Sequence, residues 1–417
     1  MIKDNPALVA SIRDRFAHVD SCPFSGPRIF FENAGGALTL KSAVETSAKF
    51  AAIPDNQGRD NIGSHALVDI INRAKADMAV FMNASSGQFF VGESGTELLF
   101  RMIRTACVNA PKDAKVIGSS IEHPASRSAA RRWAGIAGLD YVNVPHDDAT
   151  GMVTADQYRE YLTADVAVAT ILHASPVTGM GMDVTAIAAA IREVAPDCFI
   201  IVDGIQHAAH GQLDIDSYNV DGYAISPYKV FSRHGYGVAW ISDRLTALPH
   251  DMLIDAPAEA WEFGTRDTGA YATMSDVVSY FDWLGGEVSD EVEPRARIEA
   301  AGRAIHAYEQ HLTTAMIHGT GNLPGLSEME HVTVLAGEDN PAREGLVSIV
   351  VKDMPSADVV TRLNNEGIRA HTRKADHYSG NVLNPLGLSD CIRISMCHYN
   401  TEAEVAKLLA VIKELGG

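Results

Sequence analysis

Cysteine is scarce in this chain. The five residues, Cys22, Cys107, Cys198, Cys391 and Cys397 among 417, have no C-x-x-C spacing and are odd in number. That pattern excludes a dense disulfide framework and a thiolate zinc centre of the usual spacing, and it reads as reduced, structural thiols. Long apolar runs are missing too: none approaches the roughly 18 to 20 residues that span a bilayer. Residues 1–20 carry charges throughout and lack the apolar stretch of a secretory signal, so the expected location is cytoplasmic. Positive charge is in short supply, with 34 Lys and Arg against 53 Asp and Glu and a net charge of -19. This balance disfavours nucleic acid or an anionic membrane surface as a partner. A small anionic substrate stays open, because one local arginine can hold a carboxylate. Internal repeats and low-complexity segments are absent.

What is present is an alternation. Short β-rich runs at 88–93, 115–119, 141–144, 165–173, 198–204, 222–226 and 236–241 are separated by amphipathic stretches such as 96–110 and 183–195. Several runs are apolar throughout, as strands covered on both faces of a parallel sheet must be. The expected fold class is therefore α/β with a mostly parallel sheet. A helical tract around 268–317 follows, then strands near 331–336, 346–351 and 391–396 mixed with helices near 355–366 and 401–415, which reads as a smaller α+β domain. The expected organisation is an N-terminal segment, 1–30, packing on the small domain or a partner, a large domain at 31–265, and a small domain at 266–417 that includes the connecting helix.

In open α/β sheets, ligands sit at the carboxyl ends of the strands, and polar residues gather there. Ser94, Gly95 and Thr96 precede a helix, where hydroxyls and free N–H groups suit a phosphate and equally suit an ordinary helix cap. His123 ends a buried strand just before Pro124, placed to stack on a flat ring. Asp203 emerges from the apolar run CFIIVDG, where a carboxylate needs a cation such as a protonated pyridine nitrogen. The competing reading joins Asp203 to His207 and His210 as metal ligands; the glycines at 204 and 211 argue for a loop rather than a ligand-bearing helix, and no metal is expected. Lys229, after GYAIS-PY, sits where burial lowers an amine's pKa, as Schiff-base chemistry requires; the alternative is a snorkelling surface lysine.

The order phosphate turn, His, Asp-x-x-Gln, Ser-x-x-Lys resembles the class V aminotransferase family of fold-type I pyridoxal-phosphate (PLP) enzymes. Cysteine desulfurases, selenocysteine lyases and isopenicillin N epimerase-like proteins belong to that family. The resemblance implies PLP as cofactor, bound to Lys229 as a Schiff base, with His123 stacked on its ring. It also implies Asp203 at the pyridine nitrogen, Gln206 at the phenol oxygen, and Ser94, Gly95, Thr96 and Ser226 at the phosphate. The segment EFGTRD (262–267) is similar to one that lends a threonine, here Thr265, to the neighbouring subunit, implying a homodimer with shared active sites. Arg393 in IRIS matches the arginine that forks onto a substrate carboxylate, and Asn33, Arg59 and His371 are further substrate-side candidates.

Two departures bear on the reaction. Pro176 stands where many relatives have an Asn that contacts the phenol oxygen, which leaves Gln206 or Ser175 to tune the ring. In the segment RAHTRKADHY (369–378), read as a loop, His371 and Asp376 fall roughly where desulfurases carry an arginine and then a persulfide-forming cysteine. The expected function is thus a PLP-dependent, desulfurase-like lyase acting at Cα/Cβ of a small amino acid without a persulfide cysteine. Transamination and epimerisation share the same parts. A degenerate PLP-fold binding protein would have lost some of them.

Overall fold

A seven-stranded sheet organises the first part of the chain: β1 (Gln88–Gly92), β2 (Lys115–Ser119), β3 (Asp140–Val144), β4 (Val166–Leu172), β5 (Phe199–Asp203), β6 (Gly222–Ile225) and β7 (Gly237–Ile241). The computed structural model describes residues 1–265 and 267–416. Strand order is β1-β7-β6-β5-β4-β2-β3. All neighbours pair in parallel except β7, which runs antiparallel to both β1 and β6. Apart from the edge strand β3, the strands are apolar because both faces are covered. On one side, helix Gly95–Val108 sets Leu98 and Met102 against Ile201, Ala224 and Ala239. On the other, Val202, Ile225 and Val238 join the main core. The carboxyl ends of β1, β2, β4, β5 and β6 therefore share one edge, the place where an open sheet receives a ligand.

The helical tract after residue 267 resolves into two helices, Thr268–Val288 and Pro294–His318. Ser289 is extended, and Pro294 takes the first turn of the second helix, where its missing N–H has no cost. A second sheet follows, made of β8 (Val332–Val334), β9 (Leu346–Val351), β10 (His371–Lys374) and β11 (Asp390–Ser395) in the antiparallel order β8-β9-β11-β10. The segment read as a loop at 371–378 thus begins as a strand. His-Thr-Arg-Lys has no apolar alternation to announce one; the open edge of β11 supplies the hydrogen-bond ladder, pairing His371 with Arg393 and Arg373 with Cys391. The N-terminal segment packs on this part of the chain. Arg13 pairs with Glu404 at 3.3 Å, and Ile29–Phe30 pairs in parallel with Ile368–Arg369.

Candidate active site

After β1 the chain turns through Ser94 into a helix. The Ser94 hydroxyl accepts from Glu97 N at 3.1 Å, so it acts as the helix cap, and the helix begins at the sheet edge. Gly95 permits a close approach: a Cβ there would lie 2.5 Å from Ile205 Cδ1 and 2.6 Å from Ser226 Oγ. Gly237 does the same from below, since its Cβ would come within 2.4 Å of the Ser94 carbonyl carbon. Two segments more than a hundred residues apart, 94–96 and Ser226, are thereby held against each other.

Strand β6 ends at Ser226, and Pro227–Lys229 makes one 3-10 turn. This turn swings Lys229 back toward the end of β5, where its Nζ donates to Gln206 Oε1 at 3.1 Å. Burial, reinforced by the charge of Arg393 and opposed by Asp203, lowers the Lys229 pKa to about 7. Asp203 is 2% exposed and accepts from Ile205 N at 3.1 Å. Burial raises its pKa to about 6 despite that hydrogen bond and the pull of Lys229. An amine and a carboxylate at the ends of adjacent strands are both pushed toward their neutral forms, an arrangement typical of sites that handle protons.

His123 caps helix Pro124–Ala137, its Nδ1 accepting from Ala125 N at 3.2 Å. Burial, with smaller contributions from Lys229, Arg373 and Arg127, pushes its pKa down to about 3, so the imidazole is neutral. Thr96, His123, Pro176, Asp203, Gln206, Ser226, Tyr228 and Lys229 line one cleft. Arg393 reaches its rim from β11. It is 3% exposed, its Nη1 donates to the Pro176 carbonyl at 3.0 Å, and its Nε is buried without a partner. Burial and then Arg373 lower its pKa to about 9.

Other candidates lie elsewhere or are engaged. The Asn33 amide donates to Phe30 O, Ser395 O and Asn400 Oδ1, and its oxygen accepts from Tyr399, so it ties the chain to β11 rather than facing a ligand. Arg59 and Thr265 are exposed. Arg266, within the EFGTRD segment and at the start of the expected small domain, lies outside the described residues. His371 Nδ1 pairs with Glu32 Oε1 at 3.3 Å. The Ser175 hydroxyl accepts from Thr178 N at 3.1 Å inside its own turn, and of the two residues considered for tuning the ring Gln206 lines the cleft. The alternative metal trio disperses: His207 pairs with Glu344 at 2.5 Å while stacking on His173, and His210 pairs with Glu309 at 2.7 Å. Sequence reasoning passed over Tyr228, and it noted Arg373 only as part of the basic segment 369–378. The signal for Arg373 was its spacing of two from His371, which only a strand turns to the same face.

The aminotransferase class-V family model matches residues 29–256 and 298–408, most of the chain. The chain belongs to the class-V aminotransferase family. The cysteine desulfurase-like protein ustD of Aspergillus flavus is 25% identical over 99% of this chain and 91% of its own length. A probable cysteine desulfurase of Vibrio cholerae is 21% identical over 96% and 97%. Among solved structures, the apo cysteine desulfurase of Thermococcus onnurineus superposes with a TM-score of 0.78 at 20% identity, covering 93% of this chain and 94% of that one. The cysteine desulfurase CsdA of Escherichia coli gives 0.78 at 20% identity over 97% and 98%. The fold is fold type I, and PLP is the cofactor of this class-V family. The residues present fit that cofactor. A phosphate finds a glycine turn with no room for a side chain at the start of a helix, a pyridinium finds the buried Asp203, and an aldehyde finds a neutral amine.

Proposed function

We propose that this class-V protein is a PLP-dependent lyase that acts at Cα/Cβ of a small amino acid, cleaving a bond to a leaving group such as sulfur or selenium without a persulfide cysteine. The observation that carries the reading is the convergence of a near-neutral Lys229 amine, the buried Asp203 carboxylate and the Arg393 guanidinium around one cleft, with no thiol lining it. All five cysteines are buried. Of the two beside Arg393, burial pushes Cys391 up to about 11 and raises Cys397 well above the ordinary thiol range.

When bound, PLP supplies an electron sink for the pair released at Cα. Each remaining role falls to a side chain. Lys229 Nζ, with a pKa of about 7, would accept the Cα proton, and the pair left at Cα would expel from Cβ the leaving group, which departs protonated. Arg393 holds the substrate carboxylate in a two-pronged contact. Asp203 keeps a proton on the ring nitrogen, His123 covers the ring, and Gln206 meets the phenol oxygen. Ser94, Gly95, Thr96 and Ser226 hold the phosphate. Thr265, exposed in a single chain, reaches the neighbouring site of a homodimer, and the five unpaired thiols suit the cytoplasm.

The test is the visible spectrum of purified protein with PLP, followed by borohydride fixation and peptide mapping. A band fixed to the Lys229 peptide and lost in Lys229→Ala is expected. A protein that stays colourless with added PLP overturns the reading. Release of sulfide or selenide with the cofactor unchanged assigns the lyase, whereas pyridoxamine phosphate left after incubation assigns a transaminase.

A further inference from the structure

Arg373 is a second guanidinium beside the site, and nothing in the roles assigned above uses it. It lies on β10 directly opposite Cys391, as His371 lies opposite Arg393. Opposed residues of an antiparallel pair share a face, so Arg373 and Arg393 are diagonal neighbours, about 7–8 Å apart at the backbone. Tyr378 links this face to the cofactor-side histidine: the Arg373 guanidinium carbon is 5.9 Å from its ring centre, and the His123 ring is 6.2 Å away. The charge of Arg373 is felt at Lys229, His123 and Arg393 alike.

Arg373 has no carboxylate at ion-pair distance, although the charge of Asp376 partly offsets its burial. Among the described residues it donates no hydrogen bond and forms no ion pair, and its Nε is buried without a partner. The nearby carboxylates make their contacts with other groups. Asp376 accepts from Tyr378 N at 2.8 Å, and Glu32 pairs with His371 at 3.3 Å. Arg393 likewise donates only to the neutral Pro176 carbonyl among the described residues, with the charge of Glu32 a smaller support against its burial. Two like charges on one face, one buried and one half-buried, destabilise each other unless anions meet both. One such anion is the α-carboxylate of the substrate.

We propose that Arg373 is a specificity-determining residue that binds a second anionic group, a carboxylate or sulfinate, on the side chain of the substrate amino acid. The inference rests on the reading that Lys229 carries the cofactor and Arg393 the α-carboxylate. It deepens that reading by assigning the substrate class: small amino acids carrying two acids.

The test uses the PLP-loaded protein and follows the change in its visible spectrum as amino acids are added. L-Aspartate is compared with L-asparagine, which has the same shape without the charge, and L-cysteine sulfinate with L-cysteine. At least one acid is expected to bind ~10-fold or more tightly than its neutral counterpart, and the preferred pair tells carboxylate from sulfinate. Arg373→Gln should weaken that acid by roughly 10- to 100-fold, the range of one charge-assisted contact, and leave the neutral compounds unchanged. Arg373→Lys should restore part of the preference. Both variants are checked for unchanged cofactor absorbance and melting temperature, so that a folding defect is recognised. Equal binding of acid and neutral compound in the wild type, or equal weakening of both in Arg373→Gln, overturns this proposal and leaves the enzyme reading intact. Failure of the wild type to take up PLP overturns both.

Discussion

Arg393 Nη1 donates to the backbone carbonyl of Pro176 at 3.0 Å. The Pro176 carbonyl thereby aims the arginine. One edge of the guanidinium is fixed by the main chain, which leaves the remaining donors oriented for a carboxylate.

Arg393→Lys keeps a positive charge but loses the fork. A lysine cannot grip both Pro176 O and a carboxylate in one plane. Half-saturation by substrate should rise by roughly 10- to 100-fold, with a smaller effect on turnover at saturation. Steady-state kinetics of the two proteins, with cofactor content matched, checks this.

Lys229 has a pKa of about 7 because burial and Arg393 oppose its charge more than Asp203 supports it. The cofactor-free protein should thus take up PLP through a neutral amine whose fraction rises with pH through about 7. Uptake should be slow below pH 6 and level off above pH 8, where an ordinary lysine near 10.4 would still be accelerating. Stopped-flow growth of the visible band across that range provides the profile. A rate still climbing steeply between pH 8 and 10 contradicts the assignment.

Gly95→Ala places a methyl 2.5 Å from Ile205 Cδ1 and 2.6 Å from Ser226 Oγ. The turn must move away from Ser226, at a stability cost of about 1–3 kcal/mol and with weakened phosphate binding. Thermal melting with and without PLP should show a lower midpoint and a smaller increment from the cofactor.

Cys22 is the thiol most prone to alkylation, its pKa drawn to about 7 by hydrogen bonds from the Ser25 hydroxyl and the Phe24 and Ser25 backbone. It lies beside Arg369 rather than in the cleft. Cys22→Ser should retain full turnover while abolishing the fastest iodoacetamide modification, read by peptide mass mapping. Loss of turnover would return a thiol step to the mechanism.

The chain alone determined the large sheet and the residues at its edge. All of its strands except the edge strand β3 are largely apolar runs, and burial on both faces leaves such runs few alternatives. Asp203, Lys229, His123 and the Ser94–Thr96 turn are legible for the same reason: each is a polar residue where an apolar strand stops. Tertiary structure decided what depends on distant neighbours. His371–Lys374 carries no strand signal of its own and becomes one only because β11 offers an unpaired edge. That pairing turns Arg373 toward the face of Arg393 and leaves His371 to Glu32. Asn33 looked free until its amide met Ser395 and Asn400, more than 360 residues away. Local chemistry marks where a strand ends; which side chains then stay unpaired is fixed by segments that meet only when the chain is folded.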